Sequence, residues 1–128
     1  MKTVQYTIYF GINEGYGHNN DSRHEIEQVG EILQKLCENV FSITTVYLSG
    51  VLERTNTIYS PNWGCPAGGE VTYKYEITLN PEFVDPYNKD IEKAFEILVM
   101  NIKDRFRQTT IQATRKDIDD FFYVTDQQ

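Results

Sequence analysis

The chain contains few of the residues on which metal centres, disulfide frameworks and histidine-based catalysis depend. Its 128 residues include two histidines, two cysteines and one tryptophan. Two cysteines favour free thiols, buried at Cys37 and exposed at Cys65, over a disulfide framework. The apolar runs are shorter than a membrane span, and none near the N-terminus resembles a secretion signal. We therefore expect a cytoplasmic protein with no membrane partner and with no bound metal or cofactor.

Basic residues are also scarce. The chain has 12 Lys and Arg against 19 Asp and Glu, a net charge of −7. Duplex nucleic acid, which needs a basic footprint, is therefore excluded as a partner. The segment 103–116 is nevertheless locally basic, which predicts a site for a small anionic ligand. The alternative is that its cations complement a helix C-terminus. The 40% hydrophobic content is typical of a folded protein, here one domain over residues 1–128.

The spacing of apolar residues predicts a β-α-β-β-α-β order, which is the ferredoxin-like α+β fold with two helices on one face of an antiparallel sheet. The expected elements are a strand around 4–10, a helix over 22–39, strands over 43–48 and 71–79, a helix that Asp85 caps and that runs to Phe106, and a strand over 109–114. A C-terminal extension follows, in which Phe121–Val124 is a last strand or a packed tail. The other face of the sheet would carry Gln5, Thr7, Tyr9, Thr72, Lys74, Glu76 and Thr78.

Binding groups are more evident than catalytic ones. The chain has no phosphate-binding P-loop, no nucleophile elbow and no dinucleotide fingerprint, and Asp21, His18 and His24 match no metal-ligand spacing. Glycine, asparagine and aromatic residues instead fill Phe10–Asn20, which predicts either one wall of a pocket or a loop that only joins the first strand to the first helix. Arginine offers forked donors for phosphate, and aromatic rings offer stacking surfaces for a base. The predicted ligand-binding residues are Phe10, Gly11, Asn13, Tyr16, His18, Arg54, Trp63, Asn88, Arg105, Arg107 and Arg115, and we expect binding without turnover.

A resemblance to a known family extends this prediction. The opening stretch Tyr6–Asn20 (YTIYFGINEGYGHNN) and the late stretch Arg105–Lys116 (RFRQTTIQATRK), on a short acidic chain, resemble the phage Thoeris anti-defence proteins of the first type. The resemblance implies a sponge that sequesters a cyclic ADP-ribose signal, or in some members a cyclic oligonucleotide, without degrading it. It also implies a homodimer or a higher homo-oligomer in the host cytoplasm.

Two other functions fit the same residues. One is a small-molecule enzyme that resembles the dimeric α+β-barrel monooxygenases and isomerases, with His18 or a tyrosine acting in a cavity on the sheet. The other is a protein-interaction module that uses Trp63 and the Phe121–Val124 tail as anchors. The loop 55–69 is too long for a simple hairpin turn, so we expect a functional or an interface loop. Its Trp63 either plugs the edge of the core or lies at a contact surface, and its large area with one donor favours contact.

Overall fold

A computed structural model of the chain describes residues 1–12 and 26–126. Its elements, in chain order, are strand β1 (Thr3–Gly11), helix α1 (Ile26–Thr44), strand β2 (Val51–Thr57), a 3₁₀ turn (Pro61–Trp63), strand β3 (Glu70–Thr78), helix α2 (Lys89–Arg105) and strand β4 (Gln112–Ile118). The strands form one antiparallel sheet in the order β2-β3-β1-β4. The α+β, ferredoxin-like prediction is therefore confirmed.

The core lies between the sheet and the two helices, where alternating strand residues meet the helical stripes. Val4, Tyr6, Ile8 and Phe10 of β1 are all buried, as their alternation predicts. The ring of Tyr6 lies 4.3 Å from that of Phe95 on α2. On α1 the predicted apolar stripe also joins the core, with Val29, Leu33 and Val40 buried and Ile26, Leu36 and Cys37 partly buried. Within the described residues, no helix combines the length and apolar character that a membrane crossing needs.

The predicted strand over 43–48 is wrong. Helix α1 continues to Thr44, and β2 begins only at Val51. The β-branched run at 43–46 fits a helix end as well as a strand, because threonine can bond back to the preceding turn. The Thr44 hydroxyl does so by donating to the Val40 carbonyl at 2.8 Å. Thr45 then breaks the helix with a φ of 62°.

The second half of the chain follows the predicted order with shifted boundaries. Asn88, not Asp85, caps α2 by accepting from the Asp90 N–H at 2.8 Å. Strand β4 occupies Gln112–Ile118 instead of 109–114, since Phe106 still packs in the core and the chain must first turn at Arg107. Residues 121–124 form no strand. This tail packs only in part: the ring centres of Phe83 and Tyr123 are 5.8 Å apart, while Phe122 is 80% exposed.

The second face of the sheet, which we call the open face, is polar as predicted. Strand register places Gln5 opposite Thr78, Thr7 opposite Glu76 and Tyr9 opposite Lys74. Residues directly opposite each other in an antiparallel pair share a face. The same rule places Thr55 and Thr57 of β2 on the open face, opposite Thr72 and Glu70 of β3.

Candidate active site

The loop between β2 and β3 is built from two tight turns. In the first, the Gly64 N–H donates to the Pro61 carbonyl at 2.9 Å, and Gly64 adopts a φ of 91°. In the second, the Gly69 N–H donates to the Pro66 carbonyl at 2.9 Å. Positive φ angles are available to glycine without a steric penalty. These turns return the chain so that Glu70, the first residue of β3, pairs with Thr57, the last residue of β2.

Gly69 brings the two ends of this loop into direct contact. Its φ is 96°, and a Cβ atom there would overlap Ile58 Cδ1 and lie 2.9 Å from the Thr57 carbonyl oxygen. A residue with a side chain would therefore separate the two segments. The close approach holds Glu70 beside the segment that carries Tyr59.

Tyr59 and Glu70 carry buried polar atoms without a protein partner. In the part of the chain that the structure describes, three buried side-chain atoms have no hydrogen-bond partner: the Tyr59 hydroxyl, Glu70 Oε2 and Asn101 Nδ2. Two of the three therefore belong to this one loop and its strand end. Because native proteins rarely leave such atoms unpaired, each of them indicates a group that a ligand or an ordered water satisfies.

The ionisation of both groups is perturbed. Burial raises the pKa of the Glu70 carboxyl. Burial also raises the pKa of the Tyr59 hydroxyl, and the negative charges of Glu70 and Cys65 add to this increase. A carboxylate that lacks its full hydration attracts a cation, because a counter-charge offsets the cost of burial. A neutral phenol beside it supplies a hydrogen bond. Perturbed groups in one place are a marker of a functional site, and we call this pair the Tyr59–Glu70 site.

Hydroxyl groups line the open face next to Glu70. Thr72 lies two residues along β3 on the same face, and its Oγ1 is 2.8 Å from the hydroxyl of Thr55 and 2.8 Å from that of Thr57. Mutual bonding orients these three side chains. The floor beside the Tyr59–Glu70 site is therefore polar and ordered.

The predicted ligand-binding residues are spread over several parts of the fold. Asn13, Tyr16 and His18 lie outside the described residues. Phe10 packs in the core, with its ring 5.5 Å from that of Phe106. Gly11 ends β1 beside the Gln108 side chain. Asn88 caps α2. Trp63 is 80% exposed in the 3₁₀ turn of the β2–β3 loop, six residues before Gly69.

The structure does not bring the predicted arginines together as one cluster. Arg54 lies on β2 and Arg115 on β4, the two edge strands, which are three strand spacings or about 14 Å apart. Arg115 Nη1 is 3.7 Å from Asp117 Oδ1. The Arg105 guanidinium lies 5.7 Å from the centre of the Phe106 ring, and Arg107 follows at the turn after α2. Ligand binding by these residues remains a prediction.

Reasoning from the sequence missed Tyr59 and Glu70. The loop length marked this region as functional, but no motif singles out a tyrosine and a glutamate eleven positions apart. The one available signal was Glu70 itself, a carboxylate at the start of a strongly alternating strand. Cys65, expected to be exposed, is half-buried between the two turns. Among residues 1–12 and 26–126, no group of three or more His, Cys, Asp or Glu is placed to hold a metal.

The chain is similar to solved structures of phage enzymes. A phage SAM lyase in complex with S-methyl-5'-thioadenosine matches with a TM-score of 0.60 and 12% identity, over 88% of this chain and 79% of that chain. A phage SAM lyase in its apo state matches with a TM-score of 0.55 and 12% identity, over 96% and 94% of the two chains. At this identity the similarity shows the fold alone. No curated protein sequence matches the chain.

The family model overturns the predicted function. The model of the SAM lyase family matches residues 1–124, almost the whole chain. A lyase breaks bonds in its substrate, so the expectation of a sponge that leaves its ligand intact is wrong, and so is the expectation that the chain is not an enzyme. The absence of histidine-based motifs was misleading, because this family is not identified by the catalytic and phosphate-binding motifs considered above. The chain belongs to the SAM lyase family.

Proposed function

We propose that this protein is an enzyme that cleaves S-adenosylmethionine (SAM) and releases S-methyl-5'-thioadenosine. The observation that carries the proposal is the SAM lyase family match over residues 1–124. The nucleoside in the similar phage structure is the thioether that remains when SAM loses its four-carbon amino-acid portion. The proposal retains the coarser part of the resemblance described above, a phage anti-defence protein acting on a small molecule, and replaces sequestration with degradation.

Charge supports SAM over the anionic ligand expected from the sequence. At neutral pH, SAM carries a sulfonium, an ammonium and one carboxylate, so it is a net cation. A protein with a net charge of −7 attracts such a substrate. The basic segment 103–116 then needs no phosphate partner. Its charges complement the C-terminal end of α2, where Lys103 and Arg105 occupy the last turn.

The Tyr59–Glu70 site supplies the groups that such a cation requires. Glu70 presents a carboxylate oxygen that no protein donor satisfies, suited to the ammonium or the sulfonium of SAM. Tyr59 presents a hydroxyl that remains protonated at neutral pH and donates a hydrogen bond to the substrate. Cleavage breaks a carbon–sulfur bond, and the bonding pair leaves with sulfur as a neutral thioether. The carbon that loses sulfur forms a new bond to an oxygen of the substrate's own carboxylate, so the four-carbon portion leaves as a lactone. Groups that fix the amino-acid portion thus favour the reaction by orientation.

The test is direct incubation of the purified protein with SAM. Chromatography with mass spectrometry should detect S-methyl-5'-thioadenosine, and proton NMR identifies the four-carbon product. We expect Glu70→Gln and Tyr59→Phe to lower kcat/KM by about 10²-fold or more, because each removes a polar or charged group that would contact the substrate.

Two matched controls isolate the site. Glu76→Gln changes a carboxylate on the same strand and the same face, six residues from Glu70. Tyr87→Phe removes the hydroxyl of an exposed tyrosine before α2. Both should cleave SAM at the wild-type rate. Absence of product with the wild-type protein would overturn the proposed function, whereas full activity of Glu70→Gln would overturn only the site.

A homo-oligomer remains part of the proposal. The described chain alone encloses the Tyr59–Glu70 site only partly, since Glu70 lies at the end of a strand on the open face. A site that buries most of a ligand of this size is expected to have further walls. Native mass spectrometry measures the number of subunits, and a monomer at micromolar concentration would contradict this prediction.

A further inference from the structure

We propose that the hydroxyl of Thr57 binds the α-carboxylate of SAM, next to the ammonium held by Glu70. Two further threonines, Thr72 and Thr55, keep this hydroxyl in place. The proposal rests on the proposed function, because it divides the amino-acid portion of the substrate between two neighbouring side chains. Selectivity for an intact amino-acid portion then comes from the pair of Thr57 and Glu70.

Strand register places Thr57 beside Glu70. The two residues are directly opposite each other, at the last position of β2 and the first position of β3. Residues paired in this way share a face of the sheet, and their Cβ atoms lie about 5 Å apart. The ammonium and the carboxylate of an amino acid are bonded to one carbon atom. Groups that bind both at once must therefore be near neighbours, and this cross-strand pair meets that requirement.

The two members of this pair offer complementary groups to a ligand. Glu70 Oε2 is a buried acceptor without a hydrogen-bond partner in the protein, which suits an ammonium. Thr57 is exposed on an edge strand, so a ligand can reach its hydroxyl, which suits a carboxylate because it can donate. The first cation along β3, Lys74, is already engaged, with its Nζ 3.1 Å from Glu53 Oε1.

Thr72 holds the Thr57 hydroxyl from below. Its Oγ1 is 2.8 Å from the hydroxyls of both Thr57 and Thr55, and the Thr72 side chain is buried. Two contacts among three hydroxyls use two of their three protons. One proton is therefore left for a partner outside the triad, and Thr57 is the member directly opposite Glu70. A donor that is already oriented loses little freedom when it binds a ligand.

An oriented carboxylate assists the reaction itself. As the carbon–sulfur bond breaks, one carboxylate oxygen forms the new carbon–oxygen bond of the lactone, and the bonding pair of the broken bond leaves with sulfur. A hydrogen bond from Thr57 to the other oxygen fixes the direction of attack and leaves the attacking oxygen free. Holding the reacting groups in one geometry lowers the entropic cost of ring closure. Thr57 therefore contributes both to selectivity and to rate.

The experiment compares variants of Thr57 by SAM cleavage and by calorimetric binding of two ligands. Sinefungin keeps the amino-acid portion of SAM but has carbon in place of sulfur, so it is not cleaved. S-methyl-5'-thioadenosine lacks the amino-acid portion. Thr57→Val removes the hydroxyl and keeps the shape of the side chain, and Thr57→Ser keeps the hydroxyl. Thr78→Val is the matched control, because Thr78 lies on the same face of β3 and its hydroxyl accepts from Gln5 Nε2 at 2.9 Å.

We expect Thr57→Val to lower kcat/KM for SAM and the affinity for sinefungin by about tenfold or more, because a hydrogen bond to a charged group is lost. The Kd of S-methyl-5'-thioadenosine should not change. Thr57→Ser should cleave SAM nearly as well as the wild-type protein, and Thr78→Val should match the wild-type protein in every assay. Thr72→Val removes the buried neighbour of the Thr57 hydroxyl and should produce the same selective loss in smaller measure.

The outcomes separate the two proposals. If the wild-type protein does not cleave SAM, the proposed function fails, whereas a selective loss of sinefungin binding in Thr57→Val still supports the carboxylate site. If SAM is cleaved and Thr57→Val behaves like Thr78→Val, the inference is overturned and the function stands. Equal weakening of sinefungin and S-methyl-5'-thioadenosine binding would also overturn the inference, since it indicates damage to the whole site. Absence of both cleavage and sinefungin binding would overturn both proposals.

Discussion

The two adjacent glycines of the β2–β3 loop allow a quantitative test of how the candidate site is built. Gly68 and Gly69 have similar left-handed φ angles, 84° and 96°, but different surroundings. No atom lies within 4 Å of the position that a Cβ of Gly68 would take, whereas at Gly69 it would overlap Ile58 Cδ1 and lie 2.9 Å from the Thr57 oxygen. Gly68→Ala therefore introduces backbone strain alone, and Gly69→Ala introduces the same strain and a steric overlap.

The expected losses of unfolding free energy follow from these two terms. A left-handed conformation costs a residue with a side chain about 1–2 kcal/mol. Inserting a methyl group into a closely packed contact costs about 1–3 kcal/mol more. Gly68→Ala should therefore lose about 1–2 kcal/mol and Gly69→Ala about 2–5 kcal/mol. For a chain of this size, each kcal/mol lowers Tm by roughly 3–5 °C.

Thermal unfolding followed by circular dichroism measures both variants under identical conditions. SAM cleavage is then compared at a temperature where both are folded. Gly69→Ala should lose far more activity than Gly68→Ala, because the overlap moves the Tyr59 segment away from Glu70. Equal stability and equal activity of the two variants would refute the argument that close approach at Gly69 assembles the site.

Two further predictions concern the site carboxyl and the core. Burial raises the pKa of Glu70, so the folded state binds the proton of this carboxyl more tightly than the unfolded state does. The stability that the protonated carboxyl contributes is present below its ordinary pKa of about 4.3 and is lost as the pH rises through the raised pKa. Thermal melts should thus find Glu70→Gln more stable than the wild-type protein at pH 7, with the difference shrinking toward pH 4, and a difference that grows toward acid would contradict the raised pKa. Leu98→Ala removes a fully buried side chain of α2 and should lose about 2–5 kcal/mol in urea titrations while folded protein keeps its kcat; a loss below about 1 kcal/mol would contradict the position of Leu98 in the core.

The order of the helices and strands was predictable, because burying one face of an element requires apolar residues at a regular spacing along the sequence. Val4, Tyr6, Ile8 and Phe10 alternate, and every one of them is buried. Boundaries were less predictable where one residue type serves two structures. The β-branched residues at 43–46 end a helix instead of forming a strand, and the choice depends on the Thr44 hydroxyl bonding to Val40, a contact that no pattern in the sequence specifies.

The candidate site shows the same division more strongly. Arginines and aromatic residues indicated a ligand-binding protein, whereas the family match, not composition, shows membership of the SAM lyase family. The predicted ligand site combined the basic segment 103–116 with Arg54, yet Arg115 and Arg54 lie on the two opposite edge strands of the sheet. Charge counted along a chain cannot distinguish residues on one surface from residues on two edges of a sheet.

By itself, the sequence determined the α+β architecture, the buried face of β1 and the polar open face of the sheet, because these follow from local periodicity and from the removal of apolar side chains from water. Only the tertiary structure decided that the segments carrying Tyr59 and Glu70 lie side by side. Their convergence depends on two hydrogen-bonded turns and on a glycine packed against the neighbouring strand. These are contacts between residues that carry no shared pattern, so they exist only once the β2–β3 loop has closed.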